Sequence, residues 1–371
     1  MHFIETVKVE GIIDPPRLDE NGNQVRCVLL YSGGLDSTLA ALVLKLQGID
    51  VRAVNMSTGF CTTSHRRAMG RTDAQGKPLQ HEALSGASEL QIPIDVIDIR
   101  DGYLDVLTKP KHGWGKAANP CVDCRIFMLR HAEEYRMEIG AHFIATGEVV
   151  GQRPMTQMRH TLRLIEREAG LRDMLVRPLS QRSLWETEPE RRGWVDRNRL
   201  LDFHGRGRQA QLALAQTLHV IEFPQPAGGC CFLTDRNYAV RLKDLIEHQG
   251  DKQLDFDDVL VLRVGRQFRL PDGNKVVVGR DEAENNFLER TYAHLGTLLT
   301  IDEVPGPTSL YIGNDSSPDK LLAGRITARY SDLEQLDSIA VRYWKGADDA
   351  TSWEEQLSPL PRGDEQRWML R

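Results

Sequence analysis

The stretch that decides the fold is Arg26-Cys-Val-Leu-Leu-Tyr-Ser-Gly-Gly-Leu-Asp-Ser37, an apolar run that ends in a glycine pair. Apolar residues at helical spacing follow over Asp36–Leu46, so the stretch predicts a buried parallel strand, a tight loop and a helix. The glycines let the backbone turn sharply, and the helix start leaves amide N–H groups and a positive dipole end unpaired. With the hydroxyls of Ser32 and Ser37, this loop predicts a cradle for pyrophosphate.

Strand-like and helix-like segments alternate along the chain beyond this loop. Strands are predicted at residues 51–56, 94–99, 142–146 and 175–179, and helices at residues 80–90 and 124–139. This alternation predicts a doubly wound α/β domain with a parallel sheet over residues 26–250, whose ligands bind beyond the carboxyl ends of the strands. Residues 1–25 would form a short lead-in with one strand at residues 3–9.

The pattern changes after Asp255–Asp258. Short alternating runs at residues 259–264, 266–270 and 275–278, with a hairpin turn at Pro271–Asn274, predict a smaller α+β domain over residues 255–345. The remaining residues, 346–371, are polar, and we expect them to form a loose tail.

Composition indicates a globular protein of two domains. The chain has 371 residues, of which 40% are apolar and 27% charged, with a net charge of −6. It has no run of eighteen apolar residues and no start typical of a signal peptide, so we expect a cytoplasmic protein without a membrane partner. The sequence leaves the oligomeric state open, a homodimer included.

One segment departs from this acidic balance. Residues 153–211 contain thirteen Arg, no Lys and eight Asp or Glu. Arginine without lysine favours forked contacts to phosphate and stacking on bases, which would suit RNA. The alternative is a solvated helical surface with internal ion pairs, and the composition does not decide between the two.

Four of the six cysteines form two close pairs, Cys121 with Cys124 and Cys230 with Cys231. The cysteines are too few and too unevenly spaced for a disulfide scaffold. A Cys-x-x-Cys at a helix start lowers thiol pKa, which makes thiolates available as nucleophiles or ligands. The same residues could hold an iron–sulfur cluster or a zinc ion, or they could act as a redox pair that carries a persulfide.

The loop at Ser32–Ser37 lacks the Gly-Lys-Ser or Gly-Lys-Thr of the Walker pattern. It resembles the PP-loop of the adenine nucleotide alpha hydrolase (HUP) superfamily. Members cleave ATP between the α- and β-phosphates, adenylate a carbonyl-type oxygen and let a nucleophile displace AMP. Asp36 suits either a Mg²⁺ ion held against the phosphates or an N-terminal helix cap.

Two further stretches narrow this resemblance. Together with the loop, Asn119–Cys124 and Thr146–Gln152 are similar to segments of tRNA thiouridine synthetases. The resemblance implies an ATP-dependent tRNA sulfurtransferase, which adenylates a uridine carbonyl oxygen and replaces AMP with sulfur held at a cysteine site. In cluster-dependent members three cysteines hold a 4Fe-4S cluster. We recognise no rhodanese-like segment, so sulfur would come from a donor protein or from sulfide.

The resemblance also implies site residues. ATP would be bound by Ser32, Gly33, Gly34, Leu35, Asp36, Ser37, Gly147 and Gln152. Asp36 would hold Mg²⁺ and act in catalysis. The sulfur chemistry, and any 4Fe-4S cluster, would rest on Cys121, Cys124 and one of Cys230 or Cys231.

The C-terminal segment Arg266–Asn285 resembles the NFACT-R domain, whose implied role is RNA binding. A basic strip for RNA would consist of Arg263, Arg266, Arg269 and Arg280 with Phe268. Residues 255–345 nevertheless hold eleven Lys or Arg against fifteen Asp or Glu, so this strip requires charge to be segregated on one face. A plain packing module is the alternative.

Two other functions stay open for the whole chain. A PP-loop ligase or amidating enzyme acting on a small molecule would use the same adenylation without the cysteine site. A non-catalytic RNA- or ribosome-binding protein would keep only a degenerate loop, and the intact Ser-Gly-Gly-Leu-Asp-Ser at residues 32–37 argues against it.

Overall fold

The computed structural model describes residues 13–73, 75–220, 223, 231–250, 253–346 and 351–371. The chain divides into two compact units. The first comprises residues 1–64, 80–115 and 119–230, and the second comprises residues 65–79, 116–118 and 231–371. Residues 231–250 therefore group with the C-terminal unit, whereas the sequence placed them in the first domain. The strand predicted at residues 3–9 lies outside the described residues.

The first unit is built on five parallel strands in the order β3-β2-β1-β4-β5. These strands are β1 (Arg26–Leu30), β2 (Asp50–Ser57), β3 (Ile94–Asp98), β4 (Phe143–Thr146) and β5 (Leu175–Val176). The helices from residue 35 to residue 217 are α1 (Leu35–Lys45), α2 (Thr62–Ala68), α3 (Glu82–Glu89), α4 (Tyr103–Thr108), α5 (Cys121–Glu138), α6 (Arg159–Ala169), α7 (Glu188–Arg191) and α8 (Gln209–Thr217). The predicted α/β fold with a parallel sheet is confirmed.

Strand β1 lies at the centre of this sheet because its side chains are apolar on both faces. Cys27 and Leu29 pack into the cluster that contains α1, while Val28 and Leu30 pack into the cluster that contains α5. Side chains that alternate along a strand point to opposite faces, so two apolar faces require helices on both sides. Cys27 is a core residue, and its burial raises the pKa of its thiol.

The second unit is built on a six-stranded antiparallel sheet in the order β11-β10-β8-β9-β7-β6. The strands are β6 (Arg266–Arg269), β7 (Lys275–Val278), β8 (Thr297–Thr300), β9 (Ser309–Ile312), β10 (Ile339–Lys345) and β11 (Trp353–Leu357). The helices are α9 (Arg236–His248), α10 (Phe256–Leu260), α11 (Glu282–Thr291) and α12 (Asp319–Arg329). Separate apolar clusters cover the two faces of β7, so the predicted α+β architecture of this part is confirmed.

The structure corrects the predicted strand at residues 259–264. These residues complete α10 and continue as a 3₁₀ turn at Val261–Arg263. The helix begins there because Asp255 accepts a hydrogen bond from the backbone N–H of Asp258 at 2.9 Å, and the Asp258 carboxylate accepts one in return at 3.1 Å. This reciprocal capping box overrides the apolar run that suggested a strand.

The structure also corrects the loose tail predicted for residues 346–371. Within it, β11 pairs with β10, and Leu360 is buried. The backbone N–H of Arg269 donates to the Trp368 carbonyl at 2.9 Å, and that of Leu370 donates to the Gln267 carbonyl at 2.9 Å. The polar composition misled because an edge strand exposes one face and so alternates. None of the described helices combines the length and the apolar character that crossing a membrane requires.

Candidate active site

The loops that follow β1 and β4 flank one crevice at the carboxyl edge of the parallel sheet. Strand β1 pairs with β2 on one side and with β4 on the other, so the strand order reverses between β1 and β4. Ligands of doubly wound sheets bind at such a switch point. The two loops are Ser32–Gly34 and Gly147–Gln152, which are the segments that the sequence assigned to ATP.

The phosphate loop depends on glycine for its conformation. Gly33 adopts a φ of +78°, and a Cβ there would lie 2.5 Å from the Glu82 carbonyl carbon and oxygen. Gly34 then enters α1 in an extended conformation, and no side chain caps the helix start. The first amides of α1 thus keep the N–H groups that bind phosphate in such loops.

Hydroxyl groups line the same loop. The Ser32 and Ser37 Oγ atoms lie 3.3 Å apart, and Ser37 Oγ donates to the Gly34 carbonyl at 2.8 Å. Behind them the buried Tyr31 hydroxyl is 3.0 Å from Thr38 Oγ1, which fixes the strand end against α1. The predicted serines therefore belong to one connected network around the glycine pair.

Asp36 and Gln152 meet across the crevice. Gln152 Nε2 donates to Asp36 Oδ2 at 2.9 Å. Asp36 Oδ1 and Gln152 Oε1 are buried without a hydrogen-bond partner among the described residues. Oxygen atoms in this state suit a hard cation, and Mg²⁺ commonly uses one or two protein ligands together with substrate phosphates. The residues present therefore fit Mg²⁺, and the role of Asp36 stays a prediction.

Gly147 brings the two loops together. A Cβ at this position would lie 2.6 Å from the backbone carbon and oxygen of Asp36 and from the Ser37 nitrogen. Real Cβ atoms do not approach backbone this closely, so a side chain at residue 147 would force β4 and α1 apart. The glycine of the Thr-Gly-Glu segment thus sets the spacing between the two loops.

The helix that carries the cysteines begins at Cys121, three residues before the start that the sequence predicted. Cys121 is the first residue of α5, after Pro120, and Cys124 follows in the same turn with its Sγ 3.8 Å from Met128 Sδ. Both cysteines are half-buried. Cys231 belongs to the second unit, directly before the 3₁₀ turn Phe232–Thr234, and Cys230 lies outside the described residues.

Metal ligation by these cysteines has limited support. Within the part of the chain that the structure describes, no three or more His, Cys, Asp or Glu side chains form a group that could hold a metal ion. The three-cysteine ligand set of a 4Fe-4S cluster is thus not assembled among those residues. Cys121 and Cys124 alone supply two thiols on one helical turn.

A buried charge network beside the site was missed from the sequence. Glu148, next to Gly147, accepts from Arg177 Nε at 3.0 Å, and Arg125 Nε, next to Cys124, lies 3.1 Å from its other oxygen. Arg177 is fully buried and also pairs with buried Glu166. Burial raises the pKa of Glu148, but the two guanidinium groups outweigh it and hold the pKa below its usual value. The detectable signal was a charged residue within two positions of the end of each of two apolar strands, Glu148 after β4 and Arg177 after β5.

The arginines of residues 153–211 fall into two groups, one in internal ion pairs and one exposed without an ion pair. Six of its thirteen arginines form ion pairs with carboxylates: Arg163, Arg177, Arg191, Arg192, Arg197 and Arg199. Six others are exposed and in no ion pair with a described residue: Arg153, Arg159, Arg167, Arg172, Arg182 and Arg206. About half of the segment is therefore internal pairing, and the rest leaves cationic surface on the first unit.

The basic strip proposed for the C-terminal unit is largely neutralised. Three of its four arginines bind carboxylates of the same unit: Arg263 to Asp235, Arg269 to Asp244 and Arg280 to Glu284. Arg266 stacks over the Tyr330 ring at 4.6 Å, and Phe268 is fully buried. Phe268 is therefore a core residue, and its assignment to the strip was wrong.

The parallel sheet, which carries helices on both faces, and the glycine loop after β1 make the first unit a HUP-like α/β domain. Comparison with known families agrees with this. Residues 25–169 match the tRNA methyl transferase HUP domain, and residues 265–369 match the NFACT protein RNA binding domain. The resemblance stated from the sequence is confirmed, and the C-terminal match runs well beyond Lys345.

Curated relatives are tRNA-modifying proteins. A tRNA-specific 2-thiouridylase MnmA of Methylobacterium nodulans is 30% identical over 38% of this chain and 37% of that protein. The MnmA of Bacillus subtilis is 20% identical over 93% of this chain and 92% of its own length. For the relatives that match at about 30% identity, such as the protein of Methylobacterium nodulans, the matched part of the chain spans only about a third of the relative's length. Among solved structures, a 4-thiouridine synthetase–RNA complex with bound ATP is 22% identical over 42% of this chain and 36% of that one, with a TM-score of 0.31.

Proposed function

We propose that this protein is an ATP-dependent tRNA sulfurtransferase that replaces a uridine carbonyl oxygen with sulfur. The observation that carries the proposal is the pair of buried, unpartnered oxygens on Asp36 and Gln152, beside a helix start that no side chain caps. The printed names of the curated relatives, which are tRNA-specific 2-thiouridylases, support a uridine of tRNA as the acceptor.

The first step is adenylation. The uridine carbonyl oxygen attacks the α-phosphorus of ATP, an O–P bond forms, and the bond from the α-phosphorus to the bridging oxygen breaks to release pyrophosphate. Amides at the start of α1 and the hydroxyls of Ser32 and Ser37 bind the departing phosphates. Asp36 would hold a Mg²⁺ ion, which would supply positive charge against these phosphates. Gly147 keeps the second loop close enough to close the site.

The second step replaces AMP. A sulfur nucleophile attacks the activated ring carbon, and AMP leaves with the former carbonyl oxygen. Sulfide completes this exchange without redox change. A cysteine persulfide leaves its outer sulfur on the ring only when a second thiol attacks the S–S bond, which forms a disulfide and requires a thiol reductant to reset. Cys121 and Cys124, with one of Cys230 or Cys231, are the thiols that we assign to sulfur transfer.

A reconstituted reaction tests this proposal. Protein purified without oxygen is incubated with ATP, Mg²⁺, unmodified tRNA and sulfide, and the digested tRNA is analysed for thionucleosides. We expect a thiouridine whose formation matches pyrophosphate release. No thionucleoside from folded, reduced protein would contradict the proposal. If pyrophosphate release instead depends on a small carboxylate and persists in Cys124→Ala, the chain is an amidating ligase.

The form of the cysteine site is a separate question. The resemblance to cluster-dependent thiolases favours a 4Fe-4S cluster, whereas the described residues do not assemble its ligands. Iron and acid-labile sulfide analysis of anaerobically purified protein decides between a cluster and thiol chemistry. We assign RNA binding to the second unit because residues 265–369 match the NFACT protein RNA binding domain. A sulfur donor protein or sulfide would be the other partner.

A further inference from the structure

A short basic segment, Lys109–Gly115, is hydrogen-bonded to the start of the cysteine helix α5. The backbone N–H of His112 donates to Asp123 Oδ2 at 2.9 Å, and the backbone N–H of Gly115 donates to the Asn119 carbonyl at 2.9 Å. On its other side, Lys111 Nζ and His112 Nε2 bind Glu168 at 2.7 and 3.1 Å. Side chains of two helices therefore fix the conformation of this segment.

Trp114 lies between these two anchors and exposes its ring. It is 48% exposed, the most exposed of the six tryptophans, whereas its indole N–H is satisfied by the Leu107 carbonyl at 2.9 Å. Met155 lies beside the next residue, since a Cβ on Gly115 would be 3.0 Å from Met155 Cε, and Met155 is itself 46% exposed. A tryptophan that is held by its indole N–H and about half exposed is not explained by core packing.

The charge around this ring indicates what covers it. Residues 109–115, which carry the ring, contain two lysines and one histidine but no Asp or Glu, and Lys111 and His112 pair with Glu168. Lys109 is exposed on this segment, and Arg153 is exposed two residues before Met155 in the sequence. Exposed aromatic faces among cationic side chains are the usual surface for single-stranded nucleic acid, because any base can stack and the backbone is anionic. An apolar peptide would instead need a continuous apolar surface, which glycine and lysine interrupt here.

We propose that Trp114 is a stacking platform for an unpaired base of the RNA substrate, next to the cysteine helix. This rests on the proposed function, because it identifies how the same site holds its RNA. Asn119 and Asp123 lie on either side of Cys121 in the sequence, so the segment that carries Trp114 contacts the turn at which the cysteine helix begins. Stacking there would hold a neighbour of the reacting uridine and order an otherwise mobile single strand.

The test compares Trp114→Ala with Trp114→Phe, which keeps an aromatic face. Binding of unmodified tRNA and of a short unstructured RNA is measured by fluorescence anisotropy at fixed salt. We expect Trp114→Ala to weaken binding about 10-fold, in the range known for one base–aromatic stack, and Trp114→Phe to weaken it by no more than about 3-fold. Binding of RNA should also quench the tryptophan fluorescence of the wild-type protein more than that of either variant.

The control is Met137→Ala, which removes an exposed apolar side chain from the last turn of α5. Equal affinity of all variants, or an equal loss in Met137→Ala, overturns the platform while leaving thiolation untouched. Wild-type protein that binds neither RNA overturns both proposals. Thionucleoside formation with unchanged RNA affinity in Trp114→Ala overturns the platform alone, and ATP binding measured without RNA reports that the ATP site of each variant is intact.

Discussion

The phosphate loop of the first unit and the arginine strip of the second were both predicted from short motifs, and the structure treats them differently. In the loop, the binding groups are backbone amides at the start of α1, and no side chain caps them. In the strip, the binding groups are guanidinium groups, and three of four already bind carboxylates. One feature presents unsatisfied groups, whereas the other has satisfied them internally.

The difference teaches which kind of motif survives folding. Amides at a helix start are fixed by the backbone, so a ligand is the partner that best satisfies them. A guanidinium on a long side chain can reach any nearby carboxylate, and this unit carries more acidic than basic residues. A run of arginines therefore predicts an RNA surface only when the carboxylates are placed elsewhere.

The largest expected effect would break the loop side of this comparison. We expect Asp36→Asn to lower pyrophosphate release by about 100-fold or more, because the amide keeps the shape but loses the charge that holds Mg²⁺. Release is measured with saturating ATP and tRNA. Asp98→Asn is the matched control, because Asp98 ends β3 at the same edge of the sheet and pairs only locally with Arg100. A full rate in Asp36→Asn would reduce Asp36 to a helix-start residue.

A second substitution tests the backbone itself. Gly147→Ala places a Cβ 2.6 Å from the Asp36 backbone, so we expect a loss of about 1–3 kcal/mol in the free energy of unfolding together with weaker ATP binding. Chemical denaturation and ATP titration measure the two effects. Gly207→Ala is the control, because a Cβ at Gly207 meets nothing within 4 Å. If both variants behave like wild type, the close approach of the two loops is not required.

What the sequence predicts well follows the same division. Glycine pairs, apolar strands and helix starts are local, so the parallel sheet, the loop and the start of α5 near Cys121 were predictable. Contacts between residues far apart in the sequence are not local. The sequence therefore did not predict the contacts Gln152–Asp36 and Glu148–Arg125 or the ion pair that neutralises Arg280. The error at residues 259–264 arose because apolar runs fit strand and helix alike, and only the capping aspartates distinguished them.

The strip side of the comparison can be broken at Arg280. Its guanidinium binds Glu284 at 2.9 Å, and that carboxylate is buried although the arginine is half-exposed. We expect Arg280→Ala to lower the free energy of unfolding by about 1–2 kcal/mol, because it leaves a buried carboxylate unpaired. The affinity for tRNA and its salt dependence should not change. A salt slope that falls by about one in Arg280→Ala would restore Arg280 as a phosphate contact, and Arg266→Ala gives the same measurement for the arginine without a carboxylate.

A last expected effect concerns positive charge buried inside the second unit. Burial, assisted by Arg269 and Arg241, lowers the pKa of Lys275 from 10.5 to about 7 in the folded protein. Between these values the unfolded chain binds more protons than the folded one at this residue, so its contribution to stability rises as pH rises. We therefore expect Lys275→Met to be most stable relative to wild type near pH 7 and to lose that advantage towards pH 10, by at most about 1.4 kcal/mol per pH unit. Denaturant unfolding across this range measures it, with Lys243→Met, an exposed lysine on α9, as control. A difference that stays constant with pH would mean that Lys275 is charged when folded, and this unit would then hold one more buried cation paired with its own carboxylates.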